Sequence, residues 1–135
     1  MSWGGKRGVD DFRGHADPAG RGAEAEAAAV DWLRRHGYRE VARNVRTGAG
    51  EIDLVAKHQG VLCFVEIKAR GGPGFGPAVA AVTPAKQRRL TRAATLWLAR
   101  HPTDAPCRFD VLGLDAGEGG EWEFTLVQGA FEAAG

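Results

Sequence analysis

Two short apolar runs in which side chains alternate with a period of two flank the dipeptide Gln59-Gly60. Alternating side chains lie on opposite faces of a strand, so the pattern predicts a β-hairpin over residues 51–69. Glycine at the second turn position suits the positive φ of a two-residue hairpin turn. The alternation predicts one shared face on each strand: Ile52, Leu54, Ala56 and His58 on the first, and Val61, Cys63, Val65 and Ile67 on the second.

Helical spacing of apolar residues predicts two helices outside this hairpin. An Ala-rich run from Arg21 to His36 precedes Gly37, a common helix terminator. Thr83-Pro84 is typical of the N-cap and first residue of a second helix, whose apolar stripe ends at Leu98. Three more strands are predicted, over Tyr38–Thr47, Arg108–Leu114 and Glu121–Val127, and the Gly- and Pro-rich segment Arg70–Pro77 is predicted to be a loop.

The open end of the predicted hairpin concentrates charge. Counting back from the turn gives two facing pairs, Asp53 with Glu66 and Glu51 with Lys68. Facing side chains stand about 4.5–5.5 Å apart at Cβ, so three carboxylates and one ammonium share one end of one face. Two interpretations stay open. One is a solvated end of an edge hairpin with a Glu51–Lys68 ion pair, and the other is a site whose partly buried carboxylates bind a ligand.

Metal-assisted phosphodiester hydrolysis is the chemistry that such a cluster suits. Oxygen ligands favour hard cations, and Mg²⁺ typically takes one or two carboxylates, several waters and a phosphate oxygen. Asp53 and Glu66 would be the metal ligands, and the Ile67 carbonyl would supply a third oxygen. Lys68 would orient or deprotonate the attacking water and offset charge on the phosphate. Glu51 would hold a metal-bound water or pair with Lys68.

These residues also resemble a known motif. Asp53, twelve intervening residues and then Glu66-Ile67-Lys68 are similar to the PD-(D/E)xK motif of the restriction-endonuclease-like nucleases. Residues 50–56 and 64–70 look like the YraN family of small bacterial proteins, to which an endonuclease activity is ascribed. The resemblance covers about residues 20–131, although Ile52 stands where the superfamily motif has proline. It implies an α/β fold of the Holliday-junction-resolvase type, with a mixed central sheet flanked by helices.

The function implied by the resemblance is an endonuclease that depends on Mg²⁺ or Mn²⁺ and acts on DNA, including branched or structured DNA. Glu26 would be an auxiliary acid on the first helix, with Glu24 as the alternative because Ala25 replaces a usual glycine. Lys86 would be an auxiliary cation or phosphate contact. Many related nucleases act as dimers, which leaves a homodimer open. The alternatives are a non-catalytic nucleic-acid-binding or assembly module with the same fold, and an adaptor for an acidic protein.

Charge is unevenly distributed along a chain whose formal net charge is only +1. Residues 34–46 contain five arginines and one acid, and residues 83–101 contain five basic residues and no acid. Such patches are expected where a protein contacts phosphates, although arginines are also common on exposed helix faces. The predicted nucleic-acid contacts are Arg43, Arg46, Arg70, Lys86 and Arg89.

The length of 135 residues and the hydrophobic content of 44% predict one domain, over residues 20–131, with a flexible tail at 1–19 and a short tail at 132–135. Cys63 and Cys107 lack metal-ligand spacing and are predicted to be free thiols in a reducing cytosol. No signal peptide or membrane span is evident, so a cytoplasmic location is expected. Asp110 interrupts an apolar strand, either as a structural acid paired with an arginine or as a metal ligand.

Overall fold

The computed structural model describes residues 18–70 and 78–133, which form two helices, five strands and two short 3₁₀ turns. The helices are α1 (Pro18–Arg35) and α2 (Pro84–Arg100), and the strands are β1 (Arg39–Thr47), β2 (Gly50–His58), β3 (Val61–Arg70), β4 (Cys107–Ala116) and β5 (Trp122–Phe131). Every predicted helix and strand is therefore present, with α1 beginning before the expected Arg21. Residues 1–17 of the tail predicted at 1–19 lie outside the described residues, as do residues 71–77 of the predicted Gly-rich loop, whereas residues 18 and 19 belong to α1.

The five strands form one mixed sheet in the order β1-β2-β3-β4-β5. All neighbouring pairs are antiparallel except β3 and β4, which are parallel. Parallel neighbours need a crossover connection, and α2 belongs to it. The predicted α/β class with a mixed central sheet and flanking helices is thus confirmed. In the part of the chain described, no helix is both long and apolar enough to span a bilayer.

Two apolar clusters cover the two faces of the sheet. The α2-side cluster joins α2 to strand residues, and its Phe64 and Trp97 rings meet edge-on at 5.9 Å. The α1-side cluster contains Ala25, Ala29 and Leu33 of α1. The sheet is therefore buried from both sides, which explains why β2, β3 and β4 are apolar on both faces. The strand residues of the α2-side cluster are Ile52, Val55, Leu62, Phe64, Phe109 and Val111, and those of the α1-side cluster are Leu54, Ala56, Cys63, Val65, Ile67, Ala69, Leu112 and Leu114.

The β2–β3 hairpin closes as predicted on Gln59 and Gly60, whose φ angles are 51° and 82°. Two consecutive positive φ values are the signature of a type I′ turn. The predicted register is confirmed from the turn as far as Leu54 opposite Val65, where the regular pairing ends. The expectation that this pairing continues to Asp53–Glu66 and Glu51–Lys68 is wrong, because the two strands part before they reach the acids.

Side-chain alternation in β2 breaks at Asp53. Ile52 packs in the α2-side cluster together with Val55, whereas Leu54 packs on the α1 side. A regular strand would place Ile52 and Leu54 on the same face, so the prediction that they share one is wrong at Ile52.

The neighbouring strand β1 has a matching irregularity. Ala42 and Val45 are three residues apart, yet both pack against the α2-side cluster. Asn44 lies between them with a φ of 52°, a left-handed conformation that asparagine tolerates better than most residues. The pairs on either side are Arg43–Leu54 and Val45–Ile52, so Asn44 and Asp53 occupy corresponding positions. The alternation break therefore runs across both strands.

Asp110 is held on the α1 side by donors from three parts of the chain. Its carboxylate accepts hydrogen bonds from the Tyr38 hydroxyl at 2.7 Å, Arg108 Nε at 2.8 Å and the Gly129 N–H at 2.9 Å. The hydrogen bonds to Asp110 raise the pKa of Arg108, and burial raises the pKa of Tyr38. The structural interpretation of Asp110, paired with an arginine, is confirmed. Both cysteines are free, and burial raises the pKa of the Cys63 thiol to about 12.

Candidate active site

Glu66 and Lys68 extend the face of β3 that carries Leu62 and Phe64, and so they point towards α2. The side chains are enclosed: Glu66 is 0% exposed and Lys68 is 7% exposed. Taking an ion out of water costs several kcal/mol unless it is paired and hydrogen-bonded. A solvated, charged hairpin end is therefore excluded for these two residues.

Asp53 reaches β3 through its side chain at the point where the two strands part. Its carboxylate, 2% exposed, accepts a hydrogen bond at Oδ2 from the Ile67 N–H at 2.8 Å. The carboxylate thus accepts the hydrogen bond that a backbone carbonyl of β2 would accept if the two strands were still paired at this point. The N–H and C=O of one strand residue point to the same neighbouring strand, so the Ile67 carbonyl faces the same gap as Asp53.

Lys86 adds a second lysine to the site, and its Nζ lies 3.5 Å from Glu66 Oε2. Its position follows from the start of α2, where Thr83 is the N-cap and Pro84 begins the helix. The Thr83 hydroxyl accepts a hydrogen bond from the Lys86 N–H at 3.2 Å, as predicted for an N-cap. The first turn of α2, which also carries the positive end of the helix dipole, therefore faces the carboxylates of the sheet.

The oxygen donors at this site suit a small, hard cation in type and number. Asp53 Oδ1 and both Glu66 oxygens are inaccessible to solvent, and the Ile67 carbonyl adds a neutral oxygen. Mg²⁺ characteristically combines one or two carboxylates with waters and substrate phosphate. Within residues 18–70 and 78–133, no three His, Cys, Asp or Glu side chains form a metal cage, so any ion here would take its other ligands from water and substrate. It would also have to displace Lys86 from Glu66.

Glu51 lies two residues before Asp53 and forms an ion pair across the β1–β2 hairpin. Arg46 Nε is 3.2 Å from Glu51 Oε2. Arg89 of α2 covers the neighbouring Gly50, because a Cβ atom at Gly50 would lie 3.3 Å from Arg89 Cγ and Cδ. Two of the arginines predicted to contact nucleic acid thus flank the end of β2 that carries Glu51 and Asp53.

Glu26 reaches the sheet one strand away from the carboxylates. Its Oε2 accepts a hydrogen bond from Asn44 Nδ2 at 2.7 Å, and Asn44 occupies the position that corresponds to Asp53. Glu24 is exposed, so Glu26 is the acid of α1 that contacts β1. This contact links α1 to the alternation break.

The remaining predicted nucleic-acid contacts differ in their surroundings. Arg43 forms a two-pronged pair with Glu40, with distances of 2.8 and 3.1 Å, which raises the pKa of Arg43 and lowers that of Glu40. Arg34 and Arg35 both pair with Asp31. Much of the first basic patch is therefore internally compensated. Arg70 ends β3, and its side chain lies outside the described residues.

Sequence reasoning missed the role of Asn44 and a groove between α2 and the β1–β2 turn. Asparagine in a strand is a weak signal for a left-handed residue, because the same residue also occurs at regular positions. The groove has a volume of about 750 Å³ and is lined by residues 45–48, 96–97 and 99–101. It joins segments about fifty residues apart, so no local pattern predicts it.

Comparison with known proteins relates this arrangement to one family. A family model described as "Uncharacterised protein family UPF0102" matches residues 25–114, the span that contains all of the charged residues of the site. A UPF0102 protein of Symbiobacterium thermophilum is 50% identical over 113 residues, covering 83% of this chain and 96% of the relative. A UPF0102 protein of Cupriavidus necator is 53% identical over 98 residues, covering 72% of this chain and 75% of the relative. The chain belongs to the UPF0102 family.

Proposed function

We propose that this protein is a metal-dependent endonuclease of the PD-(D/E)xK, restriction-endonuclease-like type that hydrolyses phosphodiester bonds in DNA. The observation that supports the proposal most is the burial of three charged side chains at one end of the sheet, Asp53, Glu66 and Lys68, with the partly buried Lys86 against Glu66. Apolar residues at the three buried positions would avoid the cost of desolvating three ions, and replacing buried ion pairs by apolar residues is often neutral or stabilising. A functional requirement accounts for keeping the charges.

Each group has a role in that chemistry. Asp53, Glu66 and the Ile67 carbonyl would hold Mg²⁺ or Mn²⁺, which supplies a Lewis acid and lowers the pKa of bound water. Lys68, on the same face as Glu66, would orient the attacking water, accept its proton or offset negative charge on the phosphate. Lys86, once released from Glu66, would contact a phosphate oxygen.

The surroundings of the site favour a polyanionic substrate. Arg46 and Arg89 flank the end of β2, and α2 between residues 83 and 101 contains five basic residues and no acid. Phosphate contacts position a nucleic acid without reading its sequence. Glu51 would then exchange its ion pair with Arg46 for a metal-bound water, while Arg46 turns to a phosphate.

The second candidate function is a non-catalytic nucleic-acid-binding or assembly module. The observation in its favour is that lysine and arginine already compensate the acids, with Lys86 on Glu66 and Arg46 on Glu51. In that case the buried charges form a closed ion-pair network, and the same arginines serve binding alone.

Cleavage assays with Asp53→Asn test the enzymatic proposal. The purified protein is incubated with linear, nicked, flapped and four-way-junction DNA and with RNA, in Mg²⁺ or Mn²⁺. The Asn side-chain oxygen can still accept from the Ile67 N–H, so the fold should persist while a charged ligand is lost. We expect cleavage of at least one DNA substrate and a loss of about 100-fold or more in the variant. The matched control is Asp104→Asn, which removes the same charge from an exposed residue and should leave the rate unchanged.

Titration calorimetry with Mn²⁺ separates the two candidates. An endonuclease should bind the ion in a DNA-dependent manner and lose this binding in both Asp53→Asn and Glu66→Gln. DNA binding without cleavage of any substrate, together with no carboxylate-dependent uptake of metal, would refute the enzyme and support the binding module.

A further inference from the structure

The groove beside α2 is basic on both walls and apolar between them. Arg46 comes from β1 and Arg100 from α2, and the apolar part includes Leu96, which is 46% exposed. The His101 ring also lines the groove and stacks on Trp97, with ring centroids 4.1 Å apart and planes 12° from parallel. Among the described residues only Leu96 and Val41 are exposed large hydrophobics, so an exposed leucine in a groove needs an explanation.

One flank of α2 connects this groove to the candidate active site. At about 100° per residue, Lys86, Arg89, Leu96 and Arg100 fall within an arc of about 80° on the helix surface. Lys86 contacts Glu66, Arg89 covers Gly50, and Leu96 and Arg100 line the groove. The stripe from Lys86 to Arg100 is about 21 Å long, enough to follow several nucleotides of a strand.

The other wall of the groove is tied to the site as well. Arg46 lines the groove and forms an ion pair with Glu51, two residues before Asp53. No acid is among the described residues that line the groove. A negatively charged chain that leaves the carboxylates would therefore meet cations on both walls of the groove and no acid in its lining.

The chemistry of the groove distinguishes a single strand from a duplex. Duplex DNA hides the faces of its bases and presents phosphates, which would satisfy Arg46 and Arg100 but leave Leu96 and the exposed part of His101 uncovered. Unpaired bases expose flat apolar faces that stack on aromatic rings, histidine included, while their phosphates bind arginine.

We propose that this groove binds an unpaired segment of the substrate strand, so that the substrate is a nucleic acid with a single-stranded flank next to the scissile bond. The part of the proposal that concerns cleavage rests on the proposed function. The binding part does not, because it depends on residues outside the carboxylate site.

Fluorescence anisotropy with labelled oligonucleotides tests the binding part. A twelve-nucleotide oligothymidylate and a blunt duplex of the same length are titrated with the whole protein without divalent metal, so that no cleavage intervenes. Two variants, Leu96→Ser and Arg100→Ala, alter exposed side chains of the groove. Each should weaken single-strand binding about ten-fold, the scale of one lost base or phosphate contact, and duplex binding much less. Arg88→Ala is the matched control, because it removes the same charge from the same helix about 120° away from Arg100.

The outcomes separate this inference from the enzymatic proposal. Equal weakening by Arg88→Ala and Arg100→Ala, or equal loss of duplex and single-strand affinity in both groove variants, would overturn the groove assignment even if the protein cleaves DNA. Groove-dependent single-strand binding by a protein that cleaves nothing would uphold the assignment and refute the endonuclease. Where cleavage occurs, a flapped substrate should be cut faster than a blunt duplex, and Leu96→Ser should reduce that preference.

Discussion

At the scale of single residues, two buried acids on neighbouring strands have different kinds of partner. Asp110 is enclosed by donors that belong to the fold, namely a phenol, a guanidinium group and a backbone N–H. Glu66 instead contacts an ammonium group at the end of the long side chain of Lys86. A rotamer change can withdraw Lys86, whereas Asp110 loses its partners only when the fold opens. Asp110 is therefore part of what holds the fold together, whereas the role proposed for Glu66 is that of a metal ligand.

Replacing Asp110 with Asn should destabilise the protein strongly. The change leaves the partly buried Arg108 without its counter-charge, and breaking a buried pair costs about 3–5 kcal/mol in the free energy of unfolding. Urea denaturation followed by circular dichroism measures the loss. Asp104→Asn, at an exposed position, should change stability by less than about 0.5 kcal/mol, and similar values for both variants would contradict the structural role.

At the scale of elements, sequence patterns predicted the features that depend on residues close together in the chain. The two-residue hairpin turn, the Thr83 N-cap and the five strands depend on neighbouring residues, and they were predicted close to their observed bounds. The alternation break and the early end of the β2–β3 pairing were not predicted, because they depend on contacts between distant segments. Asp53 bonds to Ile67, and Asn44 bonds to Glu26, eighteen residues away. The sequence therefore predicted which charged residues meet at the candidate site, but not the geometry in which they meet.

The β2–β3 turn offers a test that isolates backbone conformation from packing. Gly60 has a φ of 82°, and neither Gly60 nor Gly48 has an atom within 4 Å of an added Cβ. Gly60→Ala should therefore cost about 1–2 kcal/mol of unfolding free energy through the left-handed backbone alone. Gly48→Ala, without a positive φ, should be neutral or slightly stabilising. Thermal or urea unfolding compares the two, and equal effects would contradict the type I′ assignment.

At the scale of the whole molecule, positive and negative charges nearly cancel in number but are distributed unevenly over the surface. The net charge of +1 hides a cationic flank of α2, while the arginines near the end of α1 pair with Asp31. A small net charge therefore does not exclude a polyanionic partner, because the local potential determines where that partner binds.

The salt dependence of single-strand binding should reveal the cationic flank of α2. If Lys86, Arg89 and Arg100 each contact a phosphate of a single strand, the logarithm of the affinity should fall with the logarithm of the salt concentration with a slope of about −2. Arg89→Gln should reduce the magnitude of that slope. The double variant Arg34→Gln/Arg35→Gln removes two charges that are paired with Asp31 and should leave the slope unchanged. A slope near zero would show that the flank does not neutralise phosphates.

The break in alternation shared by Asn44 and Asp53 affects whole strands. Side chains alternate regularly on either side of the break, but the alternating positions that face α1 before it face α2 after it. A one-residue deletion in either strand alone would shift the break in that strand relative to its neighbour and move the side chains beyond the deletion to the opposite face of the sheet. Asp53, which lies at the break, extends towards the point where β2 and β3 part, whereas Asn44 reaches Glu26 of α1. The break in alternation, which the sequence pattern did not predict, is thus also the feature that directs the Asp53 carboxylate to β3.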